Sequence, residues 1–224
     1  YATPVVDAER RLLIFGTGNP SPQMADASRP GDNLYTSSLV ALDLRTGRLV
    51  WHYQQVPHDR WGYDVASSPV LLEVQVRGKW LPAVAHASKL GWVYVHDRRT
   101  GALLFKSEPF VPQRNLFTPP APDTGVLVAP GIAGGANWSP SAYDPARRLF
   151  VVGALHLPTR YVAHEIRRPD GSVLHYASTQ NTDERGGTLT ALDLADRGRV
   201  RWQVKTADPL IGGVLVTAGG LTFT

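Results

Sequence analysis

The sequence has no cysteine, a single methionine and no apolar run of the ~18 residues a membrane-crossing helix needs. Without cysteine there are no disulfides, no thiolate catalysis and no cysteine-held zinc or iron–sulfur centre. That fits a periplasmic protein without requiring one. Strong charge is missing too: 23 Lys and Arg stand against 19 Asp and Glu, for a net charge of +4 over 224 residues. The arginines are scattered, often paired inside turns (Arg10-Arg11, Arg98-Arg99, Arg147-Arg148, Arg167-Arg168). They read as solvated turn charges rather than a nucleic-acid face. No GxSxG elbow, HExxH helix or GxxxxGK[ST] loop is present. The seven histidines are dispersed without metal-ligand spacing. Three of them, His156, His164 and His175, fall in the stretch 153–187, which reads as loop-rich surface. A sustained 3.6-residue apolar period is also absent, so long helices are not expected.

What the sequence has instead is turns and strand formers. Its 21 Gly and 18 Pro punctuate short runs rich in Val, Leu, Tyr and Trp. LVALDLRTGRLVWHY (39–53), VYVHDRRTGALLFKS (93–107) and LTALDLADRGRVRWQV (189–204) share one plan. Each is a strand-like run, an Asp, a Gly-containing turn and a second run. Asp can accept hydrogen bonds within its own turn, and Gly supplies the positive φ a hairpin needs. The three aspartates, Asp43, Asp97 and Asp193, lie 54 and 96 positions apart. That is one and about two repeats of the ~40–50 residues typical of propeller blades. A second plan, Asp-X-X-X-Arg before an apolar strand, recurs in PVVDAERRLLIFGTGN (4–19) and PSAYDPARRLFVVGAL (140–155). The expectation is an all-β chain: four-stranded antiparallel blades in series, about four of them, forming one partial β-propeller domain over 1–224. The chain begins without Met and starts and stops in strand-like sequence, which suggests a segment of a longer protein. Two long stretches, 19–33 and 108–138, interrupt the repeat. They are either functional loops on a rigid scaffold or plain linkage.

GTGNPSP, RPGDNLYTSSLVALDLRTGRLVWHYQQVPHDRWGYD, KLGWVYVHDRRTG, GGANWSPSAYDP and GGVLVTAGGLTF follow one another along the chain. In that order they resemble the quinoprotein alcohol, methanol and glucose dehydrogenases. These are eight-bladed propellers that use pyrroloquinoline quinone (PQQ) and a bound metal ion. The resemblance spans nearly the whole chain and places it in the middle of the ring. It implies oxidation of an alcohol, or of a sugar or polyol, in the periplasm, with electrons passed to a cytochrome or quinone acceptor.

The resemblance assigns roles to particular residues. Asn19 stands where an amide oxygen ligates the metal, Ca²⁺ or a lanthanide, and hard cations favour such oxygens. Lys89 stands where a cation faces the quinone oxygens, and Asn137 where an Asn hydrogen-bonds the cofactor. Gly134 and Gly135 allow close backbone approach there. Tyr1 falls where many members have a Trp under the quinone. Ile211 falls where some place another Trp.

The stretch HDRWGYD (58–64) departs from the pattern. The family's catalytic Asp, the base for the alcohol proton, follows the Trp, and here that position is Gly62. Glycine has no side chain to take a proton. Asp64 matches a position that carries an extra acidic ligand in lanthanide-dependent relatives. If 61–64 is extended, residues 62 and 64 share a face and Asp64 reaches the space left at 62. Asp64 then serves as metal ligand, substitute base or both. Otherwise it only caps a turn, while His58 and Asp59 brace the loop. Gly62 and Ile211 favour the alternative, a PQQ-like propeller without catalysis that acts as a binding or assembly module. Asn19, Lys89 and Asn137 together favour the enzyme.

Overall fold

A computed structural model describes residues 3–24 and 27–224. Strands β1 (Val5–Asp7), β2 (Leu12–Gly16), β3 (Ser38–Asp43) and β4 (Leu49–Gln54) pair in order as the first blade. Strands β5 (Val70–Val76), β6 (Lys79–Ala87), β7 (Val93–Asp97) and β8 (Leu103–Lys106) form the second. All the pairings are antiparallel. After β9 (Val126–Val128), the third blade is built from β10 (Ala142–Asp144), β11 (Leu149–His156), β14 (Gly186–Asp193) and β15 (Arg199–Thr206). A hairpin of β16 (Leu215–Val216) and β17 (Thr222–Phe223) follows as the start of a fourth unit.

Each repeat read from the sequence is half a blade. The Asp-X-X-X-Arg plan makes the first two strands, and the Asp…Gly plan the last two. The aspartates hold these turns as expected. Asp43 Oδ1 accepts from the Arg45 and Thr46 amides at 3.1 and 2.8 Å. Asp97 and Asp193 do the same for Arg99 and Ala195, both at 2.9 Å. The turns close at positive φ on Gly47, Gly101 and Gly198. Each last pair of strands then carries one bulge at the same place, at Ala41/Leu42, Val95/His96 and Ala191/Leu192.

The stretch 153–187 is not loop-rich. After β11 it runs into β12 (Thr159–Arg167) and β13 (Val173–Asn181), a nine-pair hairpin whose β12 also pairs with β9. The sequence did not show this sheet because it lies outside the blade repeat. Its histidines are not free surface groups. His156 Nε2 contacts Glu184 at 2.8 Å, His164 Nε2 contacts Ser178 Oγ at 2.7 Å, and His175 pairs with Glu165 at 3.3 Å.

Blades join face to face. One core lies between blades one and two, with Leu12, Ile14, Leu39, Ala41 and Trp51 against Val84. Another lies between blades two and three, with Ala83, Ala85, Val95 and Phe105 against Phe150, Val152 and Leu192. All five residues of β7 are buried, because its alternate side chains serve both junctions. Trp51 of β4 stands on the β7–β8 turn of the next blade, its Nε1 donating to Arg98 O at 3.1 Å. Arg98 itself is nearly buried and pairs with Asp7 of blade one at 3.4 Å. It is therefore a blade-to-blade contact and not the solvated turn charge the sequence suggested.

The face of β6 and β7 toward blade one also buries two histidines. His86 Nδ1 lies 3.0 Å from Ser67 O and His96 Nδ1 lies 3.0 Å from Gly101 O. The His96 ring packs on Tyr53, with centroids 4.6 Å apart. Burial pushes His86 down to about 3 and His96 down to about 4.

Two predictions follow from these junctions. A Cβ at Gly101 would meet the Trp51 ring at 2.7 Å at a φ of +74°, whereas the equivalent Gly47 has open space. Gly47→Ala should cost about 1–2 kcal/mol for the left-handed backbone alone. Gly101→Ala should cost about 1–3 kcal/mol more for overpacking. Thermal unfolding of the intact protein measures both, and equal losses would contradict the docking role of Trp51. The histidines predict acid sensitivity. They are neutral when folded, and the unfolded chain takes up their protons from about pH 6.5 downward. Their stabilisation is complete above that pH and is lost as pH falls toward 3–4, at up to about 1.4 kcal/mol per pH unit each. Denaturant melts between pH 7 and pH 4.5 should show that slope, and His86→Gln should make it shallower.

Candidate functional site at the blade ends

The segments that enter β5 and β10 and the β2–β3 and β6–β7 connections meet at one end of the blades. A third core binds them: Met24, Val56, Trp61, Tyr63, Leu90, Tyr94, Val128 and Tyr161. Both long interruptions contribute to it, Met24 from 19–33 and Val128 from 108–138. Hydrogen bonds fix the rings at the centre. Tyr63 Oη donates to Pro130 O at 2.6 Å, Tyr161 Oη to Trp61 O at 2.8 Å and Trp61 Nε1 to Thr118 O at 2.9 Å.

The HDRWGYD stretch is a clamped turn. Asp59 is buried, and its carboxylate accepts the amides of Trp61, Gly62 and Tyr63 at 2.8, 3.0 and 2.6 Å, together with Ser37 Oγ at 3.1 Å. Burial pushes its carboxyl above the ordinary value, against the pull of those four hydrogen bonds. His58 Nδ1 lies 2.6 Å from Gly31 O. Both residues brace the loop, as expected from the sequence. Residues 61–64 are not extended, however. The clamp gathers three successive amides and turns Gly62 to a φ of +81°. A Cβ there would run into Gln23 Nε2 and stand 3.2 Å from Ile132 Cγ1. The shared face expected for residues 62 and 64 therefore does not form.

Asp64 and Lys89 do meet. Both are buried, and Lys89 Nζ pairs with Asp64 Oδ1. The same ammonium donates to Gly62 O at 3.0 Å and to Ile132 O at 3.1 Å. Asp64 is thus no turn cap and Lys89 no exposed turn lysine. Gly134 makes room for this lysine. At a φ of +81°, its Cβ would stand 2.7 Å from Lys89 Cα. The close approach expected at Gly134 and Gly135 is to Lys89 itself, whose carbonyl accepts the Gly135 amide at 2.8 Å. Asn137 follows two residues later, buried, its Nδ2 donating to Ala133 O at 2.9 Å.

Asn19 is half-buried, its Nδ2 donating to Pro20 O at 3.1 Å. Its segment reaches the same place through Thr17 O, which accepts the Val65 amide at 3.0 Å. Ile211 is 75% exposed, and its carbonyl accepts from Ser139 Oγ at 2.7 Å. Tyr1 lies outside the described residues. Sequence reasoning missed the carbonyls of Gly62 and Ile132, since no side-chain pattern marks a backbone acceptor. It also missed Gln23, whose amide lies where a side chain at 62 would begin.

Two atoms of the site are left with nothing to bond. Asp64 Oδ2 and Asn137 Oδ1 are buried and have no hydrogen-bond partner. Buried acceptors in that state are rare and cost roughly 1–3 kcal/mol each unless a further group binds them. An anionic and an amide oxygen are the donor types a hard cation or a polar cofactor takes. Among the described residues there is no cluster of three His, Cys, Asp or Glu. A cation here would rely on Asp64 and amide oxygens.

A family model described as the PQQ-containing glucose, ethanol and alcohol dehydrogenase β-propeller domain matches residues 1–115 and 110–191. The chain belongs to this family. A quinoprotein ethanol dehydrogenase of Pseudomonas aeruginosa is 35% identical over 97% of the chain and 40% of its own length. A lanthanide-dependent methanol dehydrogenase of Methylacidiphilum fumariolicum is 30% identical over 95% of the chain and 38% of its own. Among solved structures, a europium-containing methanol dehydrogenase superposes with a TM-score of 0.85 at 28% identity. It covers 100% of this chain and 42% of its own. The chain thus spans about 40% of the length of the curated relatives it matches.

Asp59→Ala orphans three buried amides and a hydroxyl, and it should cost about 3 kcal/mol or more in a denaturant melt of the intact protein. A loss under about 1 kcal/mol would mean that the turn at Gly62 does not depend on Asp59.

Proposed function

We propose that this PQQ-family chain, taken as the middle segment of a longer ring, supplies part of a working alcohol dehydrogenase site. Its substrate would be an alcohol, with a sugar or polyol as the wider class. The unpaired Asp64 Oδ2 carries this reading. It is a buried carboxylate oxygen, beside a lysine, waiting for a partner. In a site without a side chain at 62, Asp64 is the acidic group at hand. It would bind the cation, Ca²⁺ or a lanthanide, through the free Oδ2, and its carboxylate would be the group to take the hydroxyl proton of the alcohol. Asn19 adds an amide oxygen to the cation, Lys89 brings positive charge toward the quinone, and Asn137 offers Oδ1 to it. PQQ, when bound, supplies the two-electron acceptor. A cytochrome or quinone acceptor and a periplasmic setting complete the proposal by analogy with the family.

One observation favours the second reading, a propeller that binds without catalysis: Gly62 removes the usual base. A PQQ titration of the intact protein, followed by tryptophan fluorescence with Ca²⁺ and then La³⁺, separates the two. Saturable, cation-dependent quenching is expected, weakened about tenfold or more in Asp64→Ala, as loss of a charged ligand implies. No saturable binding with either cation would reject the enzyme reading.

A further inference from the structure

We propose that the Lys89–Asp64 ion pair is a placeholder that cation binding exchanges. This inference rests on the reading of Asp64 as a cation ligand and adds an order of events to it. An ammonium has three N–H donors; Lys89 donates to Gly62 O and Ile132 O and is ion-paired with Asp64 Oδ1. At most one N–H, on the side the carboxylate covers, is left for an incoming quinone oxygen. Asp64, in turn, gives one oxygen to Lys89 and leaves the other empty.

Of the three acceptors, the two carbonyls belong to backbone that is held in place. Gly62 lies in the Asp59 clamp, and Ile132 follows Gly131, whose carbonyl accepts the Gly134 amide at 2.9 Å. Asp64 Oδ1 is the acceptor on a rotatable side chain. It belongs to the carboxylate whose free oxygen, Oδ2, a divalent or trivalent cation would bind. A cation on Asp64 neutralises the carboxylate and weakens its hold on the lysine, which frees one N–H. The lysine stays anchored on Gly62 O and Ile132 O, with its stem packed on Gly134. The empty site therefore stores its own counter-ion. That offsets the large cost of leaving a buried carboxylate bare. It also makes Lys89 a competitor of the metal, and makes the cation the group that readies Lys89.

The test measures La³⁺ and Ca²⁺ affinity of the intact protein by titration calorimetry, with PQQ absent and present, in wild type, Lys89→Met and Asp64→Asn. Removing the competing ammonium should tighten cation binding about tenfold or more, and removing the carboxylate should weaken it by at least as much. If Asp64→Asn weakens binding but Lys89→Met does not tighten it, the exchange is wrong and the ligand reading stands. If neither variant changes affinity, or no cation binds at all, both are wrong. Lys89→Met leaves Asp64 uncompensated and will fold less readily without cation, so wild type supplies a second readout. Amine labelling mapped by mass spectrometry should find Lys89 protected in the cation-free protein and several-fold more reactive with La³⁺ bound. Unchanged or greater protection would overturn the proposal.

Discussion

The contact of Trp51 with the β7–β8 turn is the joint on which the site depends. It brings the last strand of blade one onto blade two, and the Asp7–Arg98 pair closes beside it. The site is assembled from loops of both blades and of blade three. A shift at this joint would separate Thr17, and with it the Asn19 segment, from Val65 beside Asp64. Blade junctions of this kind bury both faces of a central strand such as β7, so rigidity comes from packing density rather than from any strong single bond. The half-buried Trp202, which aligns with Trp51 in its blade, lines a cleft with Val216 and Thr222 of the β16–β17 hairpin.

At the blade ends the loops carry no sheet hydrogen bonds, and buried side chains take their place. Asp59 satisfies three amides, Tyr63 and Tyr161 each satisfy a carbonyl, and Lys89 satisfies two more. This division of labour explains why buried polar residues crowd here, whereas the junction cores are apolar apart from His86, His96 and the Asp7–Arg98 pair. It also sorts the two carboxylates of the HDRWGYD stretch. Asp59 has every oxygen engaged and acts on the backbone. Asp64 has one oxygen engaged and one free, and is the carboxylate that can act on something else.

Much of this was legible in the sequence because it is periodic. Asp43, Asp97 and Asp193 announced their turns, and the motif order announced the family. The hairpin of β12 and β13 was not legible, since it follows no blade repeat. It is a second sheet inserted between two strands of blade three, and its half-buried His164 and His175 look like surface residues when read alone. The geometry at Gly62 was hidden for another reason. An extended reading of Trp61 to Asp64 fits their strand propensity, but Asp59 gathers three amides in a row and forces a left-handed residue among them. Tertiary hydrogen bonding overrode propensity. Arg98 was misread for the same kind of cause, because its partner Asp7 lies in another blade.

Gly62 is best understood through what its backbone does. A side chain at this position would start inside the space of Gln23 and beside Ile132, at a φ that only glycine adopts freely. With no side chain, the residue offers its carbonyl to Lys89, and the lysine in turn holds Asp64. In the proposed reading the acid stands two residues along, at Asp64, held by the Lys89 ammonium. A propeller that merely scaffolds would gain nothing from this. Apolar residues of similar volume at 64 and 89 would pack as well or better, since a buried ion pair seldom outweighs its desolvation. The unpaired oxygens of Asp64 and Asn137 would be a standing cost in such a scaffold. A bound cation and cofactor remove that cost, which is why the arrangement speaks for a site that is loaded.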